Sequence, residues 1–206
     1  MGKRQVTSVA IFDRDGTIID VVRDEEVGVT NVAFHPSQIR LLPGAVDGMR
    51  LLQDAGFAVA IATNQPGPAK GQVSAAAVRC TNEALVSILA GFGVHVRAIE
   101  TCMHHPDGGP GGDAALVIRC DCRKPKPGLL TAVLRRLEAT PEASWMIGDS
   151  CSDLEAGRGA GMKCALVFST NRCELCPLRT GPASLGPDVH GPTLLDIATS
   201  ILALRR

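Results

Sequence analysis

The chain has 206 residues, 45% of them apolar, which is enough to bury a core without disulfides and is close to the size of one domain. Lysine and arginine total 21, as do aspartate and glutamate, so the charge balance excludes the basic excess of a nucleic-acid binder and points to a small-molecule partner. The apolar run after the basic start "MGKRQVTSVAIF" breaks at Asp13, too early for a signal-peptide core or a membrane span. A monomeric cytoplasmic protein without a membrane partner is expected. In that reducing setting the 8 cysteines read as metal ligands or packed thiols rather than as a disulfide framework.

In chain order, "TSVAIFD" (7–13) is a continuous apolar run that predicts a buried strand, and "LLPGAVDGMRLLQDAG" (41–56) carries helical Leu and Met spacing closed by a glycine. "FAVAIATN" (57–64) predicts a second strand, the Ala-rich 71–93 a long helix, and "VRAIETC" (96–102) a third strand. Residues 103–127 are rich in Gly, Pro, His and Cys with no period, so a loop is expected, and loops of that length are usually kept for function. "GLLTAVLRRLEA" (128–139) predicts a helix, "SWMIGD" (144–149) a fourth strand, "SDLEAGRGAG" (152–161) a short helix and "KCALVFS" (163–169) a fifth strand. The run 171–192 reads as irregular surface, and "TLLDIATSILALRR" (193–206) as a closing helix.

Strands divided by helices predict one α/β domain: a doubly wound, Rossmann-like parallel sheet with right-handed crossovers. In such sheets ligands bind beyond the carboxyl ends of the strands. Asp13 ends the first strand, Thr63 and Asn64 the second, and Asp149 the fourth. With the spatial order 3-2-1-4-5 these groups converge in one crevice. Asp13 and Asp15, two positions apart in "VAIFDRDGTIID", cannot both ionise without cost unless a cation lies between them. The plain structural alternative is that they cap an Asp-Gly turn.

"DRDGT", "TNQPG", "CRKPKPG" and "GDSCSD" resemble, in order, the four motifs of the haloacid dehalogenase-type phosphatases. The resemblance spans residues 13–153 and implies hydrolysis of a phosphate monoester. Physical chemistry leads to the same requirement, because an anionic nucleophile approaches an anion only when positive charge neutralises it. Hard oxygen ligands suit Mg2+, and Asp13, the Asp15 carbonyl and Asp149 are the expected set. Asp13 is then the nucleophile that forms an aspartyl-phosphate, and Asp15 the acid that protonates the leaving oxygen and later the base for water. Gly16 allows a close turn, Thr63 donates its hydroxyl to a transferring oxygen, and Lys124, in the stiff "RKPKP" run, supplies positive charge. Arg123 is expected to grip a second phosphate or a sugar hydroxyl, and the resemblance adds Asn64, Gln65 and Ser150 as substrate contacts. Asp153 reads either as a helix-start acid favoured by the dipole or as an outer partner of the magnesium site, and Lys126 as surface.

Cys102-x-His104 and Cys120-x-Cys122 make a tetrahedral set of three thiolates and one imidazole that matches structural Zn2+. His105 is the alternative ligand to His104. Cys173 and Cys176 have metal or redox spacing without a nearby second pair, and Cys80, Cys151 and Cys164 read as isolated packed thiols. A zinc-held loop beside "CRKP" is similar to the capless subgroup of heptose bisphosphate and histidinol-phosphate phosphatases. It implies no cap domain and a sugar bisphosphate substrate, with histidinol phosphate as the alternative and "RDEE" (23–26) available to meet its amine. After the first motif this chain reads "DVVRDEEVGVTNVAFHP" and it contains no tyrosine, whereas the heptose enzymes carry a His-Gly-Tyr-Val-like stretch. A third reading, an inactive zinc-stabilised interaction module, predicts damage among the acids, and the motifs are complete.

Overall fold

The computed structural model describes residues 7–24, 29–167 and 186–205. Its strands are β1 (Val9–Phe12), β2 (Val22–Asp24), β3 (Val29–Asn31), β4 (Ala58–Asn64), β5 (Val96–Cys102), β6 (Trp145–Gly148), β7 (Lys163–Val167) and β8 (Val189–Gly191). Its helices are α1 (Ala45–Asp54), α2 (Ala75–Gly91), α3 (Gly128–Arg136), α4 (Cys151–Gly159) and α5 (Leu194–Ala203). Six strands form one sheet in the order β5-β4-β1-β6-β7-β8, every neighbour pair parallel. The five strands read from sequence are therefore present in the expected order, with β8 added at the edge.

The continuous apolar runs arise because both faces of the sheet are covered. Ala10 and Phe12 of β1 point into one core while Val9 and Ile11 point into the other, and Trp145 and Ile147 alternate with Met146 in the same way along β6. Helices α1, α2 and α5 close the first face through Met49, Leu52, Leu85, Leu89, Ile197 and Ile201. Helices α3 and α4 close the second through Leu130, Val133 and Leu154. Gly48 lets α1 approach α5 closely, since a β-carbon there would run into the Leu194 carbonyl. Ser74 starts α2, its hydroxyl accepting from Ala77 N at 3.1 Å, a cap worth about 1 kcal/mol.

Two features depart from the sequence reading. The interval between the first strand and the first helix, where no element is expected from the sequence, contains the antiparallel β2–β3 hairpin, and the expected irregular run contains β8. Each of these strands has three residues, too few for a period to register. Among the described residues, that hairpin and the 3₁₀ turn Pro36–Gln38 are the only regular elements between β1 and α1, in place of a cap domain. The long loop after β5 holds only the 3₁₀ turn Ala114–Leu116. Cys80, expected to be packed, is exposed on α2, while Cys164 is buried and Cys151 half-buried. Cys173 and Cys176, the end of the fifth expected strand, and Glu25 and Glu26 of "RDEE" lie outside the described residues. No helix among the described residues is long and apolar enough to cross a membrane.

Candidate active site

The carboxyl ends of β1, β4 and β6 meet because β1 lies between the other two. Asp13 extends β1 by one bond, its N–H donating to the Ile147 carbonyl at 2.9 Å. Carboxylate atoms of Asp13, Asp149 and Asp153 lie within 4.8 Å of one another. The sheet edge thus brings Asp13 and Asp149 together as the strand order requires. Gly16, at φ +79°, turns the chain back under this cluster, and a β-carbon on it would overlap the Asp149 carboxylate.

Lys124 is the cation of the cluster and is 3% exposed. Its Nζ donates to Asp13 Oδ1 at 2.8 Å, Asp153 Oδ1 at 2.6 Å and the Ala62 carbonyl at 2.9 Å, so all three protons are used. Burial alone would lower its pKa, but Asp13 and Asp153 outweigh that and hold it well above the ordinary lysine value. Asp153 is fully buried, and its Oδ2 accepts from Ser150 Oγ at 2.6 Å and Ser150 N at 3.1 Å. It lies in the first turn of α4, near the helix start, and its ion-pair partner is Lys124. The sequence shows no link between residues 124 and 153.

Asp15 points away from the cluster. Arg14 Nε donates to its Oδ2 at 2.9 Å and Arg14 Nη2 to its Oδ1 at 3.1 Å. Gln65 Nε2 donates to the same Oδ2 at 2.7 Å and to Thr63 Oγ1 at 2.9 Å. Thr63 is thereby oriented as an acceptor from Gln65, which leaves its own proton to donate. Asn64 Nδ2 donates to the Lys124 carbonyl at 2.9 Å and its Oδ1 accepts from Lys124 N at 3.1 Å, fastening the Lys124 segment to β4. The side chains of Asn64 and Ser150, expected as substrate contacts, are thus occupied by protein partners. Gln65 Oε1 and Arg123 Nη1 are buried without a hydrogen-bond partner. Lys126 is a surface residue paired with Asp121 at 2.8 Å.

Three carboxylates face one ammonium, an imbalance equal to the charge of one divalent cation. Burial, opposed by Lys124 and helped by Asp153, pushes Asp13 up to about 6. Asp149 as a residue is exposed, yet its carboxylate stands among Asp13, Asp153 and Gly16; desolvation and the Asp13 and Asp153 charges push it up to about 8. Carboxylates whose proton affinity is raised by burial and by one another's charge fit a hard divalent cation, which would stabilise their ionised form.

A second cluster closes the base of the long loop. Cys122 Sγ lies 3.2 Å from Cys102 Sγ, 3.3 Å from Cys120 Sγ and 3.2 Å from His104 Nδ1. Cys102 Sγ lies 3.7 Å from Cys120 Sγ and 3.8 Å from His104 Nδ1. A tetrahedral ion with bonds of about 2.0–2.3 Å holds thiolate and imidazole ligands roughly 3.5–3.8 Å apart, so this set, two of its contacts at that spacing and three a few tenths of an ångström tighter, is close to what a metal such as zinc requires. Burial raises Cys102, and burial with the hydrogen bonds of its two neighbours raises Cys122. Against the upward push of burial, hydrogen bonds from Cys122 and the Arg123 backbone draw Cys120 down to about 7. His105 is not in the cluster; its Nδ1 accepts from Asp107 N at 3.2 Å. Cys102 pairs with Asn64 in the β4–β5 register, which sets the cluster beside the active site.

Fold and site together define a hydrolase that works at the carboxyl edge of a parallel sheet, and a family model described as HAD-hydrolase-like matches residues 121–183. A D-glycero-β-D-manno-heptose-1,7-bisphosphate 7-phosphatase of Pasteurella multocida is 33% identical over 165 residues, 79% of this chain and 83% of that protein. The protein of that name from Pseudomonas putida is 40% identical over 126 residues, 61% of this chain and 66% of its own length. The solved D,D-heptose 1,7-bisphosphate phosphatase of B. bronchiseptica, complexed with magnesium and phosphate, superposes with a TM-score of 0.75 at 30% identity, covering 96% of this chain and 99% of its own. The chain belongs to the haloacid dehalogenase-like phosphatases, in the family of these heptose bisphosphate phosphatases. It is a phosphatase.

Proposed function

We propose that the protein is a magnesium-dependent phosphatase that removes the 7-phosphate of D-glycero-β-D-manno-heptose 1,7-bisphosphate through an aspartyl-phosphate. The observation that carries this reading is the joint placement of Asp13, Lys124 and Asp149 at one sheet edge, in a chain that matches the heptose enzymes over most of its length. Bound at Asp13, Asp149 and the Asp15 carbonyl, magnesium would supply charge neutralisation for the phosphoryl group. Asp13 attacks phosphorus as the bond to the sugar oxygen breaks, and Asp15 gives that oxygen its proton. In the second step Asp15 takes a proton from the attacking water and Asp13 is released. Lys124 and Thr63 face the transferring oxygens.

A bisphosphate is favoured over an amine-bearing substrate by the charge on the loop side. The positive wall is made by Lys70 and Arg123; burial and then their charges lower the His105 pKa against the opposing Asp107, and the buried Arg123 Nη1 has no hydrogen-bond partner. Such a wall attracts a second phosphate and repels an ammonium group. A panel of heptose 1,7-bisphosphate, histidinol phosphate and other phosphomonoesters tests this. Highest kcat/KM on the heptose ester supports the assignment, and preference for histidinol phosphate contradicts it.

Two expectations about the metals follow. Folded Asp13 and Asp149 hold protons more tightly than the unfolded chain, so the metal-free fold loses stability as pH rises from about 4 to about 8. Magnesium displaces those protons, and its stabilisation grows over the same window. The rise in melting temperature on adding MgCl2 is therefore larger at about pH 8 than at about pH 5.5, and equal rises would count against this ligand set. Cys120→Ser is expected to empty the four-residue cluster of zinc and lower stability by several kcal/mol, about 3 or more. Turnover then falls indirectly, because Arg123 and Lys124 follow Cys122 in the chain. Elemental analysis and thermal melts check this, and a zinc-free wild-type protein would refute it.

A further inference from the structure

Arg14 is a fully buried cation to which the reaction above gives no task. In the sequence it is the spacer of "DRD". Besides its two bonds to Asp15, Nη1 donates to Asn82 Oδ1 at 2.8 Å and Nη2 to the Ala33 carbonyl at 2.9 Å. Asn82, on α2, passes the contact on through Nδ2 to Thr101 Oγ1 on β5 at 3.0 Å. Ala33 follows the β2–β3 hairpin, and its own N–H approaches Asp15 Oδ1 at 3.4 Å. A guanidinium that holds both oxygens of a carboxylate fixes its plane as well as its position, which a single ammonium does not.

We propose that Arg14 is the positioning residue for the Asp15 acid/base. Its guanidinium fixes the Asp15 carboxylate against α2 and against the segment at Ala33, so that the proton reaches the leaving oxygen along one line. The inference rests on the acid/base reading of Asp15. Arg14 exchanges no proton in either step. In the first step the proton on Asp15 moves to the sugar oxygen as its bond to phosphorus breaks; in the second a proton from water returns to Asp15.

A role confined to holding the fold would slow every substrate alike, whereas misplaced acid catalysis depends on the leaving group. A sugar alkoxide needs the proton and a nitrophenolate leaves without it. The test compares Arg14→Met, Arg14→Lys and Asn82→Ala, with Asp15→Asn as reference. The substrates are p-nitrophenyl phosphate and the alkyl phosphate that the wild-type protein turns over fastest. Arg14→Met is expected to lower kcat/KM, which reads only the steps up to departure of the leaving group, by about 100-fold on the alkyl phosphate and by less than about 5-fold on p-nitrophenyl phosphate, while kcat falls on both through the shared hydrolysis step. Arg14→Lys, which keeps the charge but not the fork, shows the same split at about 10-fold, and Asn82→Ala a smaller split of the same sign. If Arg14→Met does not fold, the other two variants decide. Equal losses in kcat/KM on both substrates overturn the proposal. If Asp15→Asn shows the split and the Arg14 variants do not, only the positioning role fails; if Asp15→Asn shows none, the acid/base reading fails with it.

Discussion

Asp13→Asn is expected to lower kcat by about four orders of magnitude or more, because an amide does not accept the phosphoryl group and no other carboxylate ends β1. The fold survives the change. The Asp13 bond to β6 is made by its backbone N–H, and Lys124 keeps Asp153 and the Ala62 carbonyl as partners. Removing a desolvated carboxylate whose pKa is raised to about 6 also relieves the metal-free protein, so its melting temperature without magnesium stays level or rises. Phosphate release and thermal melts measure both. More than about a tenth of wild-type turnover would reject Asp13 as nucleophile.

Lys124→Met carries the second large effect, on stability and activity together. It leaves Asp153, fully buried, with Ser150 as its one hydrogen-bond partner among the described residues, and leaves Asp13 facing Asp149 without the ammonium. Breaking a buried pair from one side costs about 3–5 kcal/mol, and losing one charge from the transferring group costs about 100- to 1,000-fold in kcat. Adding Asp153→Leu to Lys124→Met removes the orphaned charge, so the double variant recovers much of the stability and none of the activity. Denaturant unfolding and steady-state rates separate the two. A single Lys124→Met variant as stable as wild type would show that the buried triad of Asp13, Lys124 and Asp153 does not form.

The sheet was legible because its inner strands are buried on both faces and so leave unbroken apolar runs, as in "VAIF" and "FAVAIATN". Its edge was not. Strand β8 and the β2–β3 hairpin are set by pairing across space in segments too short to carry a pattern. The metal-fitting groups were legible for a related reason: Cys102, His104, Cys120 and Cys122 announce themselves by spacing, and Asp13 and Asp149 by ending strands. The groups that orient them were hidden. Arg14 reads as a spacer and Asn82 as one polar residue in a helix, and the bonds of the Asn64 and Gln65 amides to Lys124, Thr63 and Asp15 are visible only in the fold. Side-chain partners 29 or more positions apart, such as Lys124 with Asp153 or Asn64 with Lys124, leave no local mark on a sequence.

The proposed mechanism requires Asp13 to carry the phosphoryl group between the two steps. The direct measurement is to mix enzyme, magnesium and an excess of substrate, quench in acid within the first turnover, and map covalent phosphate by mass spectrometry. The expected result is a phosphoryl group on the peptide that contains Asp13, absent from Asp13→Asn. Covalent phosphate on a different residue, or full hydrolysis with the Asp13 peptide unmodified at every quench time, would contradict it.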